Sequence, residues 1–379
     1  MSSEPLNTMR EEIAAQKDYI AGQVDRLLSE ALKSFDLKVL RVIERIYLVG
    51  CGDSLAAALA LRCAFERNCS LPVQALHAME FARYDCPRLP PRSLVVAISN
   101  SGRVVRTIEA ALLARRRGAY VIALTRDADS PLALAAQVCI PTQVPDTVGV
   151  SPGTLSYFAI LTALSVISVF LGEVMSGLTH LAADETYYRL KKGGEALSAS
   201  LGLLEPLIKD YAQKLLGSAM IHILGSGPCY GVARYGAMKF LEAVALPSLP
   251  SDIEEYAHSG FFLTRPGSHV IVLSPKGNSR SRALELIEGI QAVGGVATVI
   301  APQDDEEARK RCDRFLPLVD NLPEEFCPLV YSLPFQLLSL HLGRLAQATP
   351  LGFDDPKRQQ ANFKQIFEGH CQKDFEGLG

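Results

Sequence analysis

Residues 45–54, RIYLVGCGDS, decide the fold. A β-branched and aromatic run, Arg45-Ile46-Tyr47-Leu48-Val49, ends on Gly50-Cys51-Gly52, and an Ala/Leu-rich stretch over 54–68 follows with helical character. The same plan returns 175 residues later without a gap. Gly50-Cys51-Gly52 falls on Gly225-Ser226-Gly227, and Leu71-Pro72 on Leu246-Pro247. Glu80-Phe81-Ala82 falls on Glu255-Tyr256-Ala257, and Ser93, Val95 and Ser99 on Ser268, Val270 and Ser274. One offset that carries glycines, prolines and acids together marks a duplicated module. Differences between the copies then point to the chemistry.

Outward from that stretch, Val73–Leu76 and Leu94–Ile98 read as strands, the latter running into Ser99-Asn100-Ser101-Gly102 and a helix over 103–117. Tyr120–Leu124 and Val138–Ile140 complete the first set; Ile221–Leu224, Val270–Leu273, Ala297–Ile300 and Phe315–Leu318 form the second. Continuously apolar strands alternating with helices predict a parallel sheet covered on both faces. The expected fold class is α/β, with two tandem doubly wound, flavodoxin-like parallel-sheet domains. The expected division is a leading amphipathic helix (1–35), a first domain (36–185), a helical linker (186–216), a second domain (217–346) and a polar, irregular C-terminal tail (347–379). Long apolar helices are expected at 155–174 and 329–346. In such sheets ligands sit beyond the carboxyl ends of the strands, which directs attention to loops 50–54, 99–104, 225–230 and 274–280.

Bulk properties exclude several classes. The 379 residues suffice for two cores, and 48% hydrophobic with 21% charged residues is the balance of a soluble globular protein. Net charge is -3 with no long basic run, so neither nucleic acid nor an anionic membrane is expected as a partner. Nine scattered cysteines without a Cys-x-x-Cys pair suggest reduced thiols in the cytoplasm and no metal site. The beginning, MSSEPLNTMREEIAAQ, has no apolar core and is not a secretory signal. Leu155–Val174 is long and apolar enough to span a bilayer, but Ser156, Thr162, Ser165 and Ser168 and the absence of basic flanks favour a buried helix.

The glycine turns allow two readings. Gly50-x-Gly52 and Gly225-x-Gly227 resemble a dinucleotide turn, yet no acid closes the second strand to hold a ribose. Ser99-Asn100-Ser101-Gly102 instead follows a buried strand and opens a helix, offering two hydroxyls, an amide and free backbone N–H groups around one point. That set suits a phosphate monoester held by neutral donors and the helix N-terminal field. Cys51, Gly52 and Ser54, at the neighbouring strand end, join Ser99, Asn100 and Ser101 as the expected phosphate site.

These residues resemble a family. A strand ending in Cys51-Gly52-x-Ser54, another ending in Ser99-x-Ser101-Gly102, and a repeat carrying Glu255-x-x-His258 are similar to tandem sugar isomerase (SIS) domains. The likeness, over about residues 9–365, is to the isomerase half of glucosamine-6-phosphate synthase, the stand-alone fructosamine-6-phosphate deglycases and the amino-sugar-phosphate deaminase/isomerases. No cysteine follows Met1 and no glutaminase half is present, so glutamine is not expected as the nitrogen source.

Copy two carries Lys239, Glu242, Glu255 and His258 where copy one has Ala64, Arg67, Glu80 and Arg83. The shared glutamate, 80 or 255, is expected to tie down a loop, and Glu242 and His258 are the asymmetric pair. The resemblance implies that Glu242 is the base moving a proton between C1 and C2 of an open-chain sugar. It implies that His258 assists ring opening across a homodimer, near the subunit interface. A carboxylate in a dry pocket and an imidazole titrating near neutrality suit those tasks. Asp53, Arg103, Ser151, Lys239, Glu255 and Lys364 are further candidates for touching substrate. The family's phosphate loop continues Gly-Glu-Thr; here Gly102-Arg103-Val104 loses a hydroxyl, and Arg103 can substitute a charged contact. Asp53 stands where a threonine is common. Ala361 falls at the position of the synthase's C-terminal lysine, with Lys364 nearby, which favours deglycase over aldose–ketose chemistry. His222 and His341, in apolar runs, are expected to be satisfied core residues. The expected function is a phosphosugar isomerase or a deglycase/deaminase of a 6-phosphorylated amino sugar or fructosamine, needing no cofactor. A non-catalytic sugar-phosphate sensor is the alternative.

Overall fold

The computed structural model describes residues 4–145 and 151–371. In chain order the main elements begin with α1 (Glu4–Ser34), β1 (Arg45–Gly50), α2 (Asp53–Cys69), β2 (Val73–His77), β3 (Ser93–Ile98), α3 (Val105–Arg116), β4 (Tyr120–Thr125) and β5 (Val138–Pro141). Then come α4 (Leu155–Val174), α5 (His180–Leu215), β6 (Ile221–Leu224), α6 (Pro228–Val244), β7 (Ser248–Ser251), α7 (Ile253–His258) and β8 (His269–Leu273). The series closes with α8 (Arg280–Ala292), β9 (Val296–Pro302), β10 (Arg314–Leu318), α9 (Leu333–Leu345) and α10 (Pro356–Phe367).

The strands form two five-stranded sheets, ordered β2-β1-β3-β4-β5 and β7-β6-β8-β9-β10, and every pairing is parallel. The sheets therefore share one topology, whose strand order reverses beside β1 and β6. In the first sheet Gly50 pairs with Ile98, so the loops after β1 and β3 leave the sheet side by side at that switch point. The duplication reaches backbone detail. Gly52 and Gly227 share φ 55° and ψ -128°, Ser70 and Ala245 both end their helices at φ 54°, and Arg92 and Gly267 both turn with positive φ.

By internal packing the chain divides into two compact units. Among the described residues one comprises 20–145, 156–191 and 355–371 around the first sheet; the other comprises 4–19, 151–155 and 192–354 around the second. In the first, Val95, Ala97, Val121 and Ala123 pack with Ala110, Ala111, Leu113 and Ala114 of α3. In the second, Val270, Val272, Val299 and Ala301 pack with Ala283, Leu286, Ile287 and Ile290 of α8. Each such side chain taken fully out of water contributes on the order of 1–3 kcal/mol.

Three departures from the sequence reading have physical reasons. β7 is a strand although Ser248-Leu249-Pro250-Ser251 lacks apolar continuity; it is an edge strand, where proline is tolerated. The helix expected over 329–346 is broken into Pro328–Tyr331 and α9, because Pro334 has no N–H and its ring crowds the carbonyl four residues back. The segment read as a helical linker, 186–216, is helical through Leu215 as the greater part of α5, which is 36 residues long. Within the segment read as an irregular tail, α10 starts on an Asp355 cap whose side chain accepts from the Lys357 N–H at 2.9 Å, with Pro356 in its first turn.

Two segments, Leu155–Val174 and Glu324–Leu345, are long and apolar enough to cross a membrane, and both are 94% buried within the protein. In α4 the hydroxyls of Thr162, Ser165 and Ser168 bond the helix's own carbonyls at 2.8–2.9 Å, which lets this helix bury them. α4 is a core helix.

Candidate active site

The loop geometry follows from its glycines. A Cβ on Gly50 would lie 2.8 Å from Ser54 Cβ, and one on Gly225 would lie 2.4 Å from the Cys229 carbonyl oxygen. The first glycine of each turn thus allows helix and strand to approach, and the second takes the positive φ. Gly102 needs both freedoms: φ is 63°, and a Cβ would meet Ser130 Oγ at 2.2 Å.

Around these turns the first-half candidates gather at adjacent strand ends. Ser54 and Ser99 are buried, and Ser99 Oγ and Asn100 Oδ1 have no hydrogen-bond partner among the described residues. The Asn100 carbonyl, by contrast, is held by Arg126 N–H at 2.9 Å and Thr125 Oγ1 at 3.2 Å, which fixes the loop. Ser101 Oγ accepts from Arg103 N–H at 3.3 Å. Neither α2 nor α3 has a side-chain cap, and α3 has no acid in its first turn, so its N-terminal field is uncompensated by side chains. A buried hydroxyl without a partner costs about 1–3 kcal/mol, which an arriving oxyanion would relieve.

Cys51 packs its thiol against the core beside Thr107, and burial pushes that thiol up. Gly52 is exposed, and Asp53 is the first residue of α2. Arg103 stacks its guanidinium 5.2 Å over the Phe367 ring of α10 rather than lying in the serine loop, while Arg106 donates to the carbonyl of His370. α10 is therefore docked beside the start of α3, and it carries Lys364, exposed, one turn before Phe367.

In the second unit, Lys239 is fully buried on α6 and its ammonium pairs with Glu242 one turn on, whose side chain is 27% exposed. The ammonium also donates to the Gly153 carbonyl at 3.4 Å and sits 5.1 Å from the Tyr235 ring centre. Tyr235 O–H donates to the same carbonyl at 3.3 Å and accepts from Gln336 Nε2 at 3.2 Å; Gln16 Nε2 donates to Gln336 Oε1 at 2.8 Å. Buried polar groups of this kind persist only when partnered, and this network fixes where Lys239 can place its charge. Ser151, half-buried, opens the segment that supplies Gly153. That segment is anchored by Glu12, buried on α1: one carboxylate oxygen accepts from Thr154 N–H (2.9 Å), Thr154 Oγ1 (2.7 Å) and Leu155 N–H (3.2 Å), capping α4.

His258 ends α7, exposed, with Nε2 3.1 Å from Glu254, which Arg282 also engages. Glu80 and Glu255 are exposed, and their carboxylates make no hydrogen bond or ion pair among the described residues, so the expected loop-tying role is not what these side chains do within one chain. His341 bonds Glu205 at 3.1 Å. His222 is buried against Tyr256, but among the described residues neither of its nitrogens has a partner, so it is a core residue without being a satisfied one; burial pushes its pKa down. Among the described residues no cluster of His, Cys, Asp or Glu could hold a metal.

Near the end of β10, burial pushes the Asp320 carboxyl up to about 6, with Oδ2 on Tyr331 O–H at 3.2 Å and Oδ1 unpartnered. An acid raised above its unfolded value, near 4, binds its proton more tightly in the folded state. Its ionisation therefore costs stability as pH climbs from about 4 through 6. Asp320→Asn should remove on the order of 2 kcal/mol of that loss. Melting temperatures across pH 4–8 should show the variant above the parent protein at pH 7.5 and level with it near pH 4.

Glu12, Gln16, Tyr235 and Gln336 escaped the sequence reading. Tyr235, four residues before Lys239, and the lone amide of Gln336 in an apolar helix were the signals to be had; Glu12 and Gln16 gave none.

Comparison with known proteins agrees with this architecture. Residues 39–171 match the family model for the SIS domain. Over 350 residues the chain is 28% identical to a glutamine–fructose-6-phosphate aminotransferase (isomerizing) of Corynebacterium efficiens, covering 90% of this chain and 54% of that protein. A Methanothermobacter thermautotrophicus protein of the same name is 29% identical over 300 residues, covering 79% of this chain and 48% of that one. The chain thus spans about half the length of these relatives. Among solved structures, the C-terminal domain of glucosamine-fructose-6-phosphate aminotransferase from Francisella tularensis superposes with a TM-score of 0.78 at 20% identity, covering 89% of this chain and 96% of that one. Glucosamine-6-phosphate deaminase from Thermotoga maritima gives 0.68 at 20% identity, covering 90% and 96%. At those identities the structures speak for the fold. The first half thus carries the SIS-domain match, and the second half repeats its sheet order and turn geometry.

Proposed function

We propose that this protein is a phosphosugar-processing enzyme, an isomerase or a deglycase/deaminase acting on a 6-phosphorylated amino sugar or fructosamine. The observation that carries the reading is the Lys239–Glu242 pair: a fully buried ammonium holding a partly exposed carboxylate, at positions where the first copy has Ala64 and Arg67. An ammonium at bonding distance stabilises the ionised carboxylate, the form a base requires. In this proposal the backbone of Cys51 and Gly52 with Ser54, Ser99, Asn100 and Ser101 binds the phosphate. His258, contributed across a homodimer near the subunit interface, shuttles the proton that opens the sugar ring. Glu242 takes the proton from the carbon beside the carbonyl or imine, leaving an enol or enolamine. Returning that proton to the neighbouring carbon isomerises the sugar; where that carbon's protonation leaves an imine, water adds to it and the resulting carbinolamine releases the amine, which cleaves the C–N bond and leaves a carbonyl. Asp53, Ser151, Glu255 and Lys364 are candidates for contacts to the sugar and its amine. Nine free cysteines suit a reducing, cytoplasmic setting.

The test uses heavy water. Incubated with fructose 6-phosphate, glucosamine 6-phosphate or a fructosamine 6-phosphate, the protein should carry deuterium into C1 or C2 of one of them, read by NMR. Phosphosugar binding without exchange or product would leave the sensor reading in its place.

A further inference from the structure

We infer that the loop after β8, Ser274–Ser279, is a second oxyanion seat that Glu324 closes from within, and that vacating Glu324 opens it to a phosphate group. The inference rests on the reading of Ser99–Gly102 as the phosphate loop and concerns that loop's duplicate. Ser274 occupies the position of Ser99 in the repeat. Its N–H bonds the Ile300 carbonyl at 2.9 Å as that of Ser99 bonds Leu124 at 3.0 Å. Ser274 is fully buried and its Oγ has no partner among the described residues; Ser279 Oγ, at the cap of α8, has none either.

What the loop holds is a carboxylate. Asn278 N–H donates to both oxygens of Glu324, at 3.1 and 3.2 Å, and Asn278 Nδ2 donates to one of them at 3.1 Å. Gly277 makes the room: a Cβ there would lie 2.0 Å from the Glu324 carboxyl carbon. A backbone N–H, an amide and a helix start are the donors a phosphate would use, so Glu324 and a phosphate exclude one another. The nearby cations are engaged as well, Lys276 with Asp304 at 2.7 Å and Arg280 with Asp305 and Glu307. A dianion would therefore meet an occupied and neutralised loop. The duplication supplies two seats, and Glu324 leaves one open, which confines the sugar phosphate to the first half.

Isothermal titration of the full chain with inorganic phosphate tests this. The unmodified protein should bind one phosphate per chain and Glu324→Ala two, with the added Ser274→Val change returning the count to one. Should Glu324→Ala fail to fold, Glu324→Ser, shorter and uncharged, also uncovers the Asn278 donors and should admit a second phosphate. A second event in the unmodified protein, or none in either folded variant, overturns the inference. No binding by the unmodified protein with one event in Glu324→Ala would instead remove the first-half phosphate reading and leave this seat standing.

Discussion

Glu242→Gln should lower the rate of hydrogen exchange and product formation by about a thousandfold or more, at the upper end of what a positioned general base contributes. The amide keeps the size of the side chain and can still accept from the Lys239 ammonium, so the fold around α6 should persist. What is lost is the ability to take a proton. Because Lys239 is fully buried and held among the Gly153 carbonyl, the Tyr235 ring and Glu242 itself, the pair is anchored on the protein side while the carboxylate remains partly exposed. That asymmetry is what a base facing a substrate needs. Steady-state rates and circular dichroism on the same preparations would separate lost chemistry from lost structure; an unchanged rate removes Glu242 from the mechanism.

Glu12→Ala should be strongly destabilising, costing about 3 kcal/mol and lowering the melting temperature by on the order of 5–10 °C. Three donors converge on one carboxylate oxygen at the start of α4, and the charge lies at the favourable end of that helix's dipole. Alanine would leave Thr154 N–H, Thr154 Oγ1 and Leu155 N–H buried without an acceptor. The effect should reach the chemistry too, since the anchored segment supplies the Gly153 carbonyl to Lys239 and Tyr235. Glu12→Gln, retaining an acceptor oxygen, should recover about half the loss. Thermal melts and turnover of both variants check this, and a melt unchanged by Glu12→Ala would show that the cap contributes little.

Much of the fold was legible because burial on both faces writes itself into sequence as unbroken apolar runs. Leu94–Ile98 is wholly buried, and the repeat supplied independent registration of the second sheet. What the periodicity could not show lay at the margins. Ser248–Ser251 is an edge strand with a proline and leaves no apolar run to read, and α10 has no fully buried side chain. The Asp355-Pro356 start was a local signal for α10, outweighed by the polarity of the residues after it.

The site divides the same way. Lys239 and Glu242 emerged from comparing the copies, and the serine loop from its donors. Glu12, Gln16 and Glu324 act on partners 142, 320 and 46 positions away, and contacts so remote exist only once the chain has folded. Arg103 shows the converse: its charge beside the loop reads as a phosphate contact, and in the structure its guanidinium stacks on Phe367, a partner that no local pattern announces.

The proposed roles of Ser99 and Glu242 are tested most directly by the dissociation constant of one turned-over phosphosugar, measured by titration for the unmodified protein, Ser99→Ala and Glu242→Gln. Ser99→Ala should weaken binding by roughly tenfold or more, the worth of a hydrogen bond to a charged group, without lowering the melting temperature, because the hydroxyl it removes is buried and unpartnered. Glu242→Gln should bind as the unmodified protein does. Equal affinity for Ser99→Ala, or a loss in Glu242→Gln matching it, would contradict the account.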